Sequence, residues 1–421
     1  MRSETYHVAI DVGTSKVCTL VGRSDVAGEM QVIGAGTVPS RGMKKGMVSN
    51  LSEVQQVIQS SLREAEAQAG VKITSAYVGI TGSHINYMNS RASLGNRRHN
   101  SPIGSGDVAR VVQACYADRT APGDRVLHVI PRDYSVDGNW GVHDPRGMYA
   151  STVEVESHVV MADPTSVDNL VEALRRARVK VRGLVLEPLA SAEAILSEDE
   201  RDIGVVLVDI GGGTSDISIF LEGSIWHTNV IPVGGFQLTR DISIAFTTFS
   251  LAAEEAKLKY GHAIPAAVDA QEDLRLPGFG NQAFSQVSRQ SLCEVIHDRV
   301  DELLRLILRE VDNAGLDSAP PGGLVLTGGS SKLSGMEELA SSIWPGPVRI
   351  GVPTASVWVP RDLEDPAFAT ALGLLFWDAR HCRMDGNGVY GNGVSKYSFL
   401  VKHWLSNFGH RVHALAKEVS S

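Results

Sequence analysis

At 421 residues the chain is long enough for two or three domains, each with its own core. Its 43% hydrophobic and 21% charged residues are those of an ordinary globular protein, and a formal net charge of −9 excludes a general nucleic-acid binder, which needs basic surface to displace counterions. Cys18, Cys115, Cys293 and Cys382 lie far apart with no CxxC pair, so they read as reduced thiols in a cytosolic protein, and no signal peptide or long uncharged apolar run is present.

Strands are predicted at Val8–Ile10, Val17–Val21 and Met30–Val38. The first two enclose Asp11 and the turn Gly13-Thr14-Ser15. Residues 40–48 are basic and broken by glycine, hence a loop. Asn50 or Ser52 caps a helix to Ala69 with Val54, Val57, Ile58, Leu62 and Ala65 on its apolar face, and Gly70 ends it. Ile73–Ile80 is a further strand. From about residue 84 the pattern changes: residues 86–106 are polar and rich in glycine and serine, with Arg97-Arg98 read as solvated loop. A short helix at Asp107–Tyr116, a strand pair at Arg125–Asp137 broken by Pro131, a long loop at 138–150 and an edge-type strand at Thr152–Met161 complete a small α+β insertion.

Asp163 or Ser166 caps the next helix, and the strand Val181–Leu186 leads into Glu187-Pro188. Glu187 stands at a strand-to-helix junction, where a side chain reaches the cleft of an α/β domain and could orient a water; a helix-capping role fits the same position. Residues 205–221 repeat the grammar of the first hairpin: a β-branched strand, Asp209, Gly211-Gly212-Gly213, Thr214, then a second strand. Glycines let backbone amides approach phosphate, and a carboxylate beside them can hold Mg²⁺; a plain glycine-rich hairpin has the same spelling. Leu324–Leu333 supplies a third turn with Gly328-Gly329-Ser330. Residues 251–259 and 291–311 are predicted helices, the latter with a continuous apolar stripe and His297 at its edge, and Ala367–Trp377 is a short apolar helix.

Residues 385–395 read as a glycine- and asparagine-rich linker. Beyond it, Leu400, Val401, Trp404, Leu405, Phe408, Val412 and Leu415 recur at helical spacing opposite Lys402, Arg411 and Lys417, the pattern of an amphipathic helix lying on anionic lipid. Docking of that helix on the globular body is the alternative.

Three glycine turns in this order resemble the actin, hexokinase and heat-shock-chaperone ATPases. More specifically, DVGTSK (11–16), YVGITGSHI (77–85), LHVIPRDYSVDG (127–138), DPRGM (144–148), EPLASA (187–192), VDIGGGTSDI (208–217), IPVGG (231–235), AEEAKLKYG (253–261) and VLTGGSSKL (325–333) resemble the FtsA family of bacterial cell-division proteins over essentially the full length. The resemblance implies an α/β, actin-like (ribonuclease H-like) two-lobed ATPase fold, with a small α+β domain inserted at 84–160 and a C-terminal amphipathic helix at 399–421. The first lobe would comprise 1–83, 161–200 and 351–384, the second 201–350, and 385–398 a linker.

The resemblance also implies ATP and Mg²⁺ as cofactors. Asp11 and Asp209 would face the metal. Gly13, Thr14, Ser15 and Lys16, with Gly211, Gly212, Gly213 and Thr214, would hold phosphates. Glu254 and Lys257 would approach ribose and adenine, Gly328, Gly329 and Ser330 would wall the adenosine, and Glu187 would stand at the water-activating position of a hydrolysis that is slow or absent, the nucleotide then being a structural ligand. Implied partners are the tail of the tubulin-like FtsZ at residues 235–310, further copies of the chain in filaments, anionic lipid on the cytoplasmic face of the membrane, and later division proteins. A pilus-assembly adaptor of the same superfamily is the alternative; it would need no anchor at 399–421.

Overall fold

The structure, a computed structural model, describes residues 5–25, 30–95, 101–117, 123–278, 284–316, 318–353 and 359–382. A five-stranded sheet forms the first lobe in the order Lys180–Leu186, Ser75–Ile80, Thr5–Val12, Lys16–Ser24, Met30–Pro39. The last three are antiparallel neighbours, whereas Ser75–Ile80 runs parallel to both strands beside it. Helices Leu51–Ala69 and Pro164–Arg176 cover one face. The first begins where Asn50 Oδ1 accepts the amides of Ser52 and Glu53, and ends at Gly70 in the left-handed conformation. It buries the expected apolar face, and also Ser61, whose hydroxyl donates to Thr19 Oγ1.

The second lobe repeats this topology: Ser224–Ile231, Ser215–Leu221, Val205–Ile210, Leu324–Thr327, Val348–Ile350. Its hairpin strands are again antiparallel and the remaining pairs parallel. Helices Glu187–Ile195 and Ala369–Cys382 pack on one another, and one continuous core joins Ala9 and Leu20 of the first sheet, Leu372 and Leu375 of the last helix, and Leu207 and Val325 of the second sheet. Each such leucine, fully buried, contributes roughly 1.5–3 kcal/mol. The outer face of the second sheet carries helices Gly235–Ala245, Ser250–Tyr260 and Arg289–Asn313, with the hairpin Asp273–Pro277/Phe284–Ser288.

The insertion is a four-stranded antiparallel sheet, Ile85–Gly95, Thr152–Ala162, Arg125–Val136, Asn139–Val142, with helix Ser105–Ala114 against it. Several expectations change here. Residues 85–95 are a full-length strand, and 139–142 form another where a loop was expected. Arg125–Val136 is continuous, with Pro131 at a β-bulge that tolerates the missing N–H. Thr152–Ala162 is central, paired on both sides. Its alternation records one covered face, which says nothing about how many neighbours a strand has. The loop expected at 40–48 contains a minimal hairpin, Met43–Lys44 with Met47–Val48.

This insertion meets the edge strand of the second lobe through polar side chains. Tyr87 Oη lies 2.8 Å from His227 Nδ1, His158 Nε2 lies 3.0 Å from Thr228 Oγ1, and the Arg132 guanidinium covers the Trp226 ring at 3.7 Å. Burial pushes His158 down to about 3, so this imidazole is neutral and serves as a hydrogen-bonding wedge.

Candidate functional site

Between the lobes lies a cleft of about 550 Å³. Asp11, Gly13, Thr14, Ser15, Lys16, Glu187, Asp209, Gly211, Gly212, Gly213, Thr214, Glu254, Lys257, Gly328, Gly329 and Ser330 all line it. Residues from five separated stretches of sequence thus meet in one place. Thr81, Asp216, Phe236, Leu258 and Thr370 join them without having been singled out from the sequence. Among these, Asp216 was visible in principle, since it sits in the second hairpin directly opposite Asp209.

Close backbone approach shapes the cleft. A β-carbon on Gly213 would stand 2.8 Å from Thr14 Oγ1, and one on Gly212 would stand 3.0 Å from the β-carbon of Ser15. Gly328, at φ +85°, lies against Asp209 Oδ1 where no β-carbon could fit. Gly79 leaves room for the Glu187 side chain, whose Cγ would be 3.2 Å from a β-carbon there. Glu254 and Lys257 pair at 2.7 Å on helix Ser250–Tyr260, and Lys257 Nζ also donates to Gly235 O and Thr239 Oγ1.

Acidic groups dominate the electrostatics. Asp11, Glu187, Asp209 and Asp216 are all buried, and Lys16 opposes the upward shift of Asp11, Glu187 and Asp209. Burial raises Asp11 to about 6, with Lys16 opposing and Asp209 reinforcing. Burial raises Asp216 to about 7, partly offset by a hydrogen bond from Thr81 across the cleft. Glu187 is pushed well above the usual carboxylate range by burial and by Asp11, Asp216 and Asp209. Asp209 is raised by burial and lowered by hydrogen bonds from Ser191 and Thr370. Such a cluster attracts a cation. No group of three His, Cys, Asp or Glu residues converges as a metal cage among the described residues. One or two carboxylates beside open space and backbone amides suit Mg²⁺, which keeps waters and shares phosphate oxygens.

Other features of the sequence have structural roles. His297 Nδ1 lies 2.8 Å from Ala263 O, Arg146 pairs with Asp144, and Arg91 stacks over Trp140. The amphipathic stretch with Leu400, Val401, Trp404, Leu405, Phe408, Arg411, Val412, Leu415 and Lys417, and the linker before it, lie outside the described residues, as does Arg97-Arg98.

Two sheets of one topology, each ending a hairpin in an acidic, glycine-lined turn at a shared cleft, define an actin-like protein. The fold is that of the PilM–PilN type IV pilus biogenesis complex (TM-score 0.65, 18% identity, 89% of this chain and 98% of that one) and of MreB5 of Spiroplasma citri bound to ADP (TM-score 0.54, 12% identity, 91% and 99%). The family model for cell division protein FtsA matches residues 206–373, and that for the SHS2 domain inserted in FtsA matches residues 82–161. Cell division protein FtsA of Pseudomonas aeruginosa is 41% identical over 388 residues, 92% of either chain; that of Escherichia coli K12 is 35% identical over 377 residues, 88% of this chain and 89% of that one. That of Bacillus subtilis is 32% identical over 389 residues, 92% and 87%. The chain belongs to the FtsA family of cell-division proteins.

Proposed function

We propose that this protein binds ATP with Mg²⁺ in the interlobe cleft and, in that state, assembles on the cytoplasmic face of the membrane to tether FtsZ polymers at the division site and recruit later division proteins. The convergence of three glycine turns and buried Asp11, Asp209 and Glu187 on one cleft is the observation that carries the nucleotide reading. The amides of residues 211–213 and the Lys16 ammonium would hold phosphates, and Asp11 and Asp209 would face the metal, directly or through water. Held there, Mg²⁺ would supply neutralisation of the charge that develops on phosphate oxygens. Glu187, which burial and then its acidic neighbours hold toward the neutral form, would gain charge and orient water when a cation enters. In this reading hydrolysis is slow, below roughly 1 s⁻¹ for the monomer, or absent, with the nucleotide serving as a structural ligand.

Residues 235–310 are the proposed FtsZ-facing surface. In their favour, Ile244, Phe249 and Leu251 are exposed together around one helix junction, an apolar group of the kind that marks protein contacts. Residues 399–421 supply the lipid contact in this reading, and no helix among the described residues is long and apolar enough to cross a membrane. Vesicle pelleting with ATP·Mg²⁺ tests the whole: the full chain pellets and carries FtsZ with it, and a chain truncated before Ser395 does neither. If both stay in the supernatant while binding ATP, the tether reading fails and the pilus-type adaptor becomes the better account.

A further inference from the structure

Asp209 is held differently from Asp11. Ser191 Oγ donates to Asp209 Oδ2 at 2.6 Å, Thr370 Oγ1 donates to the same oxygen at 2.9 Å, and the two hydroxyls are 3.0 Å apart. All three groups are buried, Ser191 completely and Thr370 at 6% exposure. Each hydroxyl has a single proton, so with both directed at Oδ2 their mutual contact is between lone pairs. Oδ1 accepts no hydrogen bond among the described residues, and it lies beside Gly328, which lines the cleft. One oxygen is tied and the other left available.

The tie also crosses elements. Asp209 ends a strand of the second lobe, Ser191 belongs to the helix that begins at Glu187, and Thr370 belongs to the last helix of the first lobe. Asp11 has no matching pair of hydroxyls among the described contacts. We propose that Ser191 and Thr370 are positioning residues that fix the Asp209 carboxylate and present Oδ1 to a divalent cation bound with nucleotide. This rests on the ATP·Mg²⁺ reading of the cleft and adds which side chains orient the metal-facing group. Outer groups that orient a ligand carboxylate typically change metal affinity about 10- to 100-fold when removed.

The test is titration of a fluorescent ATP analogue in Mg²⁺ and in EDTA, for wild type, Ser191→Ala, Thr370→Val, the double variant and Thr370→Ser, with Mn²⁺ binding followed by electron paramagnetic resonance. Valine keeps the shape of threonine and removes its donor. The expected result is a Mg²⁺-dependent gain in affinity that falls about tenfold in each single variant, with the EDTA affinity within about twofold of wild type. The double variant loses less than the product of the singles, because both hydroxyls serve one oxygen, and Thr370→Ser retains most of the gain. Equal losses in Mg²⁺ and EDTA would mean the pair only cements the helices, and an unchanged gain would mean it does nothing; either overturns the proposal. If wild type binds no nucleotide, the cleft reading itself fails, an outcome distinct from wild-type binding with insensitive variants. Should the double variant not fold, the single variants decide alone.

Discussion

The two cleft hairpins share one backbone design and divide its chemistry. In register, Asp11 faces Cys18 and Asp209 faces Asp216, with four residues in either turn: Gly13-Thr14-Ser15-Lys16 and Gly211-Gly212-Gly213-Thr214. The first turn carries two hydroxyls and a cation, and the second carries three glycines with bare amides before Thr214, whose hydroxyl is turned to Asp216. They are complementary because Thr14 and Ser15 fill the space that Gly213 and Gly212 leave. A side chain on both turns would collide, and glycine on both would open a gap. The strand positions also differ. Cys18 points into the apolar core shared by the lobes, its thiol pushed up to about 11 by burial, whereas Asp216 reaches Thr81 across the cleft. One hairpin builds the core and the other latches the lobes.

The sharpest way to break this comparison is to give the first hairpin the residue of the second. Cys18→Asp places a carboxylate in an apolar core, fully buried, and we expect a loss of about 3 kcal/mol or more. Denaturant midpoints at neutral pH report it; a loss under about 1 kcal/mol means that the two positions are interchangeable. Next in size, Lys16→Ala removes the cation of the first turn. A charged hydrogen bond of about 1.5–3 kcal/mol predicts ATP affinity roughly 10- to 100-fold weaker, checked by calorimetric titration.

Complementarity of the turns is tested by Gly213→Ala, whose β-carbon meets Thr14 at 2.8 Å. Overpacking of about 1–2 kcal/mol is expected, and pairing it with Thr14→Gly should restore at least half of the lost stability. No recovery would place the strain elsewhere. The smallest effect is a pH dependence. Asp216 and Asp11 bind protons more tightly folded than unfolded, at about 7 and about 6 against the usual 3.8. Their stabilising contribution is complete below pH 3.8 and is lost as pH rises through the folded values. Nucleotide-free protein should therefore melt lower at about pH 7.5 than at about pH 5.5, and Asp216→Asn should flatten part of that slope. A slope that Asp216→Asn leaves intact would assign it to other groups.

Much of this was legible in the chain. Strand–Asp–glycine spelling located both hairpins, Asn50 and Gly70 bounded a helix, and Pro188 after Glu187 marked the strand-to-helix junction where that carboxylate enters the cleft. These signals are local: backbone freedom, capping and hydropathy period are set by residues within a turn or two. Tertiary structure decided the rest. Thr152–Ala162 became a central strand because hydropathy reports a covered face and carries no record of hydrogen-bonded neighbours. Thr81 meets Asp216 from 135 residues away, and Thr370 meets Asp209 from 161. A threonine hydroxyl has no period, no spacing rule and no flanking signature. Its value comes from the one carboxylate oxygen beside it, and only the packing of two lobes and a returning helix puts that oxygen there.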